Sequence, residues 1–147
     1  MNLRKIRDGI SPALIKKAKA AGPSASQRHL KAMGRAVISV SKRAFTDSSL
    51  RPTAWVPRLD SLPHVLLQKS TMLRKSIRVI SVSNGKVVVG SDRKYAVIHQ
   101  LGGKAGRKRS AKIPARPYMP FKQSRLSPAG KRAVERALVA SLRSSGL

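Results

Sequence analysis

The chain has 147 residues, 41% of them hydrophobic, and 32 Lys and Arg against 5 Asp and Glu, for a net charge of +27. That length predicts one domain with its own core, and the charge predicts an intracellular protein with an anionic partner, most simply nucleic acid. Much else is excluded: without Cys there is no disulfide framework, thiolate nucleophile or Cys-ligated metal; no run nears the about 18 apolar residues of a membrane span; no apolar stretch follows Arg4, Lys5 and Arg7 as in a secretory signal; and five scattered acids leave little for acid–base or carboxylate–metal chemistry.

Ser11-Pro12 reads as a helix start, with Ser as N-cap and Pro at the first helical position. Leu14, Ile15 and Ala18 give this helix an apolar side, and Gly22-Pro23 ends it. A second helix is expected from Ser24 or Ser26 to about Phe45. Its apolar residues Leu30, Met33, Val37, Val40 and Ala44 alternate steps of three and four, which places them on one stripe. Pro52, Pro57 and Pro63 break the stretch from Thr46 to Leu67 into an irregular segment, anchored to the core by Trp55.

Ser76 to Gly90 reads as a hairpin. Ile77, Val79, Ile80 and Val82 form one strand and Val87, Val88 and Val89 the other. Asn84-Gly85 between them is the two-residue turn that needs positive φ at both positions. Tyr95 to Gln100 is a short helix closed by Gly102-Gly103, and a flexible basic loop follows through Lys112. Ile113 to Pro120 holds three prolines and must be extended or turned. Ser127-Pro128 opens a last helix with Val134, Leu138 and Leu142 as its core face. The order predicts an α+β fold, a small antiparallel sheet with a long β-hairpin packed against flanking helices. Residues 1–22 read as an N-terminal basic arm with a short helix. Residues 23–147 read as a single α+β domain that carries the basic loop 102–112.

The charge is not confined to a tail, since residues 1–73 hold a net +11 and residues 74–147 a net +16. Gly102 to Arg125 is the densest acid-free stretch. Within it Lys104, Arg107, Lys108, Arg109 and Lys112 are the candidate contact to DNA or to an acidic partner, because clustered cations neutralise phosphates and release counterions. Such contact is salt-sensitive and indifferent to sequence. No zinc-finger, basic-zipper or RNA-recognition signature is present, and the aromatics are not interleaved with the cluster as a stacking platform requires. The first two helices imitate a helix-turn-helix, but Gly22-Pro23 reads as a stop. His99 is the most tempting catalytic residue. Neither it nor His29 and His64 has a nucleophile elbow or metal-ligand spacing beside it. It is therefore read as a structural histidine that caps or packs under the Gly102-Gly103 turn. That glycine pair lacks the spacing and preceding strand of a phosphate loop and reads as a helix stop. No catalytic residue, metal or cofactor is expected.

YAVIHQLGG at Tyr95–Gly103, followed after the basic loop by IPARPYMPF at Ile113–Phe121, resembles the virion morphogenesis, or tail-completion, family of tailed bacteriophages. The resemblance singles out Tyr95, His99, Gln100, Gly102, Gly103, Pro114, Arg116 and Pro117. Lys42–Leu59, with Trp55, is similar to the family's helix end and tryptophan-bearing loop. Leu66–Ile77 is similar to its lead into the first long strand, and Val87–Gln100 follows its strand, glycine and helix order. The resemblance spans about Gln27 to Leu142 and leaves the first 22 residues without a counterpart. Leu50-Arg51-Pro52-Thr53-Ala54 stands where the family has a proline–aspartate–glycine turn, and Ser70-Thr71-Met72 where it often has a glycine.

The resemblance implies a non-enzymatic structural protein of the virion neck or tail, assembled in the host cytoplasm. It implies a homo-oligomeric ring, often six-fold, that joins or completes the tail around the DNA channel. Its neighbours would be other neck, portal or adaptor, tail-terminator or tail-tube proteins, with non-specific contact to packaged DNA and no membrane. Composition alone favours a rival, a stand-alone nucleic-acid-binding protein of ribosomal or nucleoid type. A nucleic-acid enzyme is a third reading, and the missing acid clusters and metal ligands argue against it.

Overall fold

The computed structural model describes residues 10–61, 63, 66–68, 71–83 and 85–146. Residues 1–9 of the expected arm, His64, Ser70 and Asn84 of the expected turn lie outside them. Among the described residues, five α-helices and six short strands follow one another as α1 (Pro12–Ala20), α2 (Pro23–Arg43), α3 (Met72–Ser76), β1 (Arg78–Ser83), β2 (Lys86–Gly90), α4 (Ala96–Leu101), β3 (Gly103–Ala105), β4 (Ala111–Ile113), β5 (Phe121–Lys122), β6 (Arg125–Leu126) and α5 (Pro128–Ser144). The fold is α+β. Its strands form three separate two-stranded antiparallel sheets, β1–β2, β3–β4 and β5–β6, each a local hairpin.

The long helix α2 organises the molecule, because α5 and the β1–β2 hairpin both pack on it. Its inner face buries Val37 and Val40 as the stripe predicts, while Leu30 and Met33 are half-buried. It also buries His29, Gly34 and Ser41, which a count of apolar residues overlooks. Ser41 is tolerated there because its hydroxyl donates to the Val37 carbonyl at 2.8 Å. Gly34 is a poor helix former, but a Cβ on it would sit 2.8 Å from Cγ2 of Val87 and 3.2 Å from Cγ2 of Val79. The helix thus lies directly on the hairpin.

That hairpin carries a β-bulge between Val79 and Ser81. The sequence requires it, since Val79 and Val82 are three apart and both half-buried, while Ile80 and Ser81 are exposed. One extra residue lets both valines face inward, which strict alternation forbids.

In the fully buried core, Phe45, Trp55, Leu73, Ile77, Ala96 and Tyr118 form one cluster. Ile10, Val37, Val134, Leu138 and Leu142 form the other, and Val89 and Met119 pack against both. Helix α5 opens as expected: the Ser127 hydroxyl accepts from the Gly130 N–H at 3.2 Å, with Pro128 at the first position. The expected basic arm is, over residues 10–22, packed on the body. Ile10 is buried, and Leu14, Ile15 and Ala18 lean on the α2–α5 cluster. An apolar stripe four residues long has more to gain from that core than from solvent. Helix α3 went unanticipated, although Leu73 and Ile77, one helical turn apart, are both buried in the first cluster.

Candidate functional site: a cationic hairpin on an aromatic clasp

The two motif segments meet in space. Helix α4 and the irregular segment 114–120 are tied together by hydrogen bonds, among them two accepted by the Gln100 side chain. Gln100 Oε1 accepts from the backbone N–H of Tyr118 at 3.0 Å and of Met119 at 2.9 Å. The His99 carbonyl accepts from the N–H of Arg116 at 2.8 Å. Because Pro114, Pro117 and Pro120 have no N–H, these bonds leave few donors of the segment to satisfy.

The irregular segment closes over this pair. Trp55 is buried, and its Nε1 donates to the Pro117 carbonyl at 2.8 Å. Arg116 reaches back, its Nε donating to the Val56 carbonyl at 3.1 Å and Nη2 to Pro57 at 3.4 Å. Phe45 lies against both rings, edge-on to Trp55 at 6.0 Å and tilted on Tyr118 at 5.2 Å. The Tyr118 hydroxyl donates to the Ala96 carbonyl at 3.1 Å, and burial pushes its pKa up to about 12. Arg51 stacks 3.7 Å over Trp55. Its guanidinium donates to the carbonyls of Ala44 and Phe45, at the end of α2. Trp55, Gln100, Arg116 and Pro117 are therefore the parts of a clasp.

His99 is half-buried at its edge. The ring sits edge-on to Tyr95 at 5.9 Å, and its buried Nδ1 has no partner among the described residues. Burial, helped by the Arg116 charge, holds its pKa below the usual value. Of the two expected roles, capping or packing under the Gly102-Gly103 turn, the cap is filled by backbone and not by the His99 ring. The Gly102 N–H donates to the Ile98 carbonyl at 2.7 Å, so backbone alone closes α4. Gly102 is at φ +74°, and a Cβ there would meet the backbone N of Ala115 at 2.8 Å. Gly103 starts the next strand.

From this base rises the stretch expected to be a flexible loop, and it is a β-hairpin. Gly103 pairs with Ile113, Lys104 with Lys112, and Ala105 with Ala111. Gly106 at φ +79° turns the chain, and Lys108 and Arg109 follow at +54° and +53°. Backbone bonds from Arg109 to Gly106 and from Ser110 to Arg107 tie the tip. Both ends of the hairpin are fixed by the clasp, which explains order where β propensity is low. Lys104, Arg107, Lys108, Arg109 and Lys112 are all exposed. Among the described residues, the ion pairs are Arg43–Asp47, Arg58–Asp60, Arg78–Asp92 and Arg93–Asp92, and none reaches the hairpin.

Elsewhere, an open groove of about 440 Å³ between α1 and α5 is lined by Leu14, Val139 and Glu135 among others. No three His, Asp or Glu side chains among the described residues gather as metal ligands would. No helix of the described residues is long and apolar enough to cross a membrane.

The fold and the clasp define a small α+β domain that carries a cationic hairpin on its surface. Its family is specific: over residues 2–143 the chain matches the phage virion morphogenesis family, and it belongs to that family. The match includes residues of the first 22, which the motif comparison left without a counterpart, so that segment is not an addition to the family's pattern. The chain is also similar to Mu-like prophage FluMu G protein 2 of Haemophilus influenzae, 54% identical over 37 residues, which are 25% of this chain and 27% of that protein. The chain thus covers about a quarter of that relative's length. No solved structure matches it.

Proposed function

We propose that this protein is a structural component of the head–tail junction, forming a ring that joins or completes the tail around the DNA channel. Membership of the phage virion morphogenesis family carries this reading. On this reading the protein acts by contact, with no reaction to catalyse, and resides in the virion neck or tail after assembly in the host cytoplasm.

Two features support the ring. Large apolar side chains stand exposed on the loop that carries Trp55, on α3, on the first hairpin and on or beside α4: Val56, Leu59, Met72, Ile80, Tyr95, Val97 and Leu101. They suit contacts to neighbouring copies and to adjacent neck, portal, adaptor, terminator or tail-tube proteins. A ring would also concentrate the charge, with six copies carrying about +162. The hairpin residues Lys104, Arg107, Lys108, Arg109 and Lys112 then meet an anionic partner.

The charge alone also suits a stand-alone nucleic-acid binder, and one experiment separates the two. The purified protein should sediment as a defined oligomer at high salt and restore tails in lysates of phage lacking it. A protein that stays monomeric at high salt, never joins tails and shifts DNA stoichiometrically overturns the ring.

A further inference from the structure

We infer that the β3–β4 hairpin is a clamp for the phosphate backbone of nucleic acid, engaged by charge and not by base. The inference rests on the proposed function and names the anionic partner at that site.

The pairing register carries it. Lys104 and Lys112 stand directly opposite each other on adjacent strands. Like charges so placed repel and destabilise a hairpin, here one with strands of only three residues. Gly103, Ala105, Ala111 and Ile113 alternate with them, so the two ammonium groups share the outer face. An anion between them turns that repulsion into attraction.

The tip adds three cations in a row, Arg107, Lys108 and Arg109, the last two in the left-handed region that side chains disfavour. No acid among the described residues pairs with any of the five.

The same composition argues against an acidic protein as the occupant. Protein interfaces are depleted in Lys at their centres and anchored by aromatic and large apolar groups. The exposed large hydrophobics of the described residues all lie outside residues 102–113. Phosphate contacts need only cations and N–H donors, and a two-stranded ribbon fits a major groove about 12 Å wide.

The test measures binding of the full chain to two duplexes of unrelated sequence and to polyglutamate, over a range of salt. Lys104→Ala/Lys112→Ala should weaken both duplexes by one factor and make the salt slope shallower by about two. The advantage of the unaltered chain should then shrink about tenfold between about 50 and about 200 mM salt. Lys131→Ala/Arg132→Ala removes equal charge from an exposed stretch of α5 and should change the slope much less. Lys104→Gln/Lys112→Gln should repeat the effect while keeping side-chain bulk, which guards against misfolding.

An equal loss in the α5 control overturns the clamp, because the charge then acts diffusely. A loss for polyglutamate matching that for duplex overturns it in favour of an acidic protein. Unequal loss for the two duplexes overturns it in favour of base reading. If tails still assemble while the slope stays unchanged, only the clamp falls; if the unaltered chain never joins tails, the proposed function falls instead.

Discussion

Gly102 and Gly85 both hold a positive φ, +74° and +71°, but Gly102 combines it with ψ 177°, a region open essentially to glycine alone, and the two differ in their surroundings. At Gly85 an added Cβ meets nothing within 4 Å. Gly85→Ala should therefore cost only the conformational penalty, about 1–2 kcal/mol. At Gly102 the same methyl strikes the backbone of Ala115 at 2.8 Å, with no flexible side chain to yield. Gly102→Ala should cost about 3 kcal/mol, strain plus overpacking, and should loosen the hairpin above it. Urea denaturation of the two variants checks this, and equal costs would show that the clasp tolerates movement at the hairpin's base. The sequence marked Gly102 as a helix stop, and the bond from its N–H to Ile98 is that stop. It held no sign of the second role, because Ala115 arrives from thirteen residues downstream.

At the scale of elements, the packing of α2 on α5 turns on a histidine. His29 is 1% exposed, its Nδ1 shares a hydrogen bond of 2.7 Å with Ser141 Oγ, and its buried Nε2 has no partner among the described residues. Burial, with the neighbouring Arg28 charge, lowers its pKa from the usual 6.5. The native state therefore resists the proton that the unfolded chain accepts. Stability is fully present above pH 6.5 and falls as the pH drops below it, by at most about 1.4 kcal/mol per pH unit for this one group. His99 is shifted the same way, by burial and the Arg116 charge, and adds to the slope. His29→Gln keeps a hydrogen-bonding partner for Ser141 and removes the titration. Its urea midpoint should fall less than that of the unaltered chain from about pH 7.5 to about 5.5, and parallel falls would refute the assignment. Helices α1, α2 and α5 were legible in the sequence because their proline starts and apolar steps are local. Of the three, only α5 is capped by a side chain, that of Ser127; Ser11 makes no such bond, and α2 opens at Pro23 behind Gly22 and not at Ser24 or Ser26. The buried His29 was not, since its reason is Ser141, 112 residues away. The β3–β4 hairpin was hidden likewise: Gly-Lys-Ala and Ala-Lys-Ile carry little β signal, and what orders them is the clasp. The five basic residues were visible as a cluster, but their pairing register was not.

For the molecule as a whole, charge sets two salt dependences of opposite sign. Each copy carries +27, so bringing copies together in the proposed ring would be opposed by repulsion that salt screens. The screening length falls from about 10 Å at 0.1 M to about 3 Å at 1 M. Apolar contacts through residues such as Val97, Leu101 and Ile80 lose nothing to screening. Ring formation in the absence of nucleic acid should therefore strengthen as salt rises. Phosphate binding runs the other way, because counterion release weakens with added salt. Sedimentation velocity of the purified chain, taken from low to high salt without nucleic acid, should show the oligomer growing at the expense of the monomer. A short duplex added at low salt should restore the oligomer by replacing the missing screening. An oligomer that dissociates as salt rises would mean that ion pairs between copies hold the ring. With only five acidic residues per chain, three of them already paired with arginines of the same copy, such pairs are few. On the proposed function, DNA in the channel would be the counterion that lets the ring close, and completion of the tail would depend on packaged DNA.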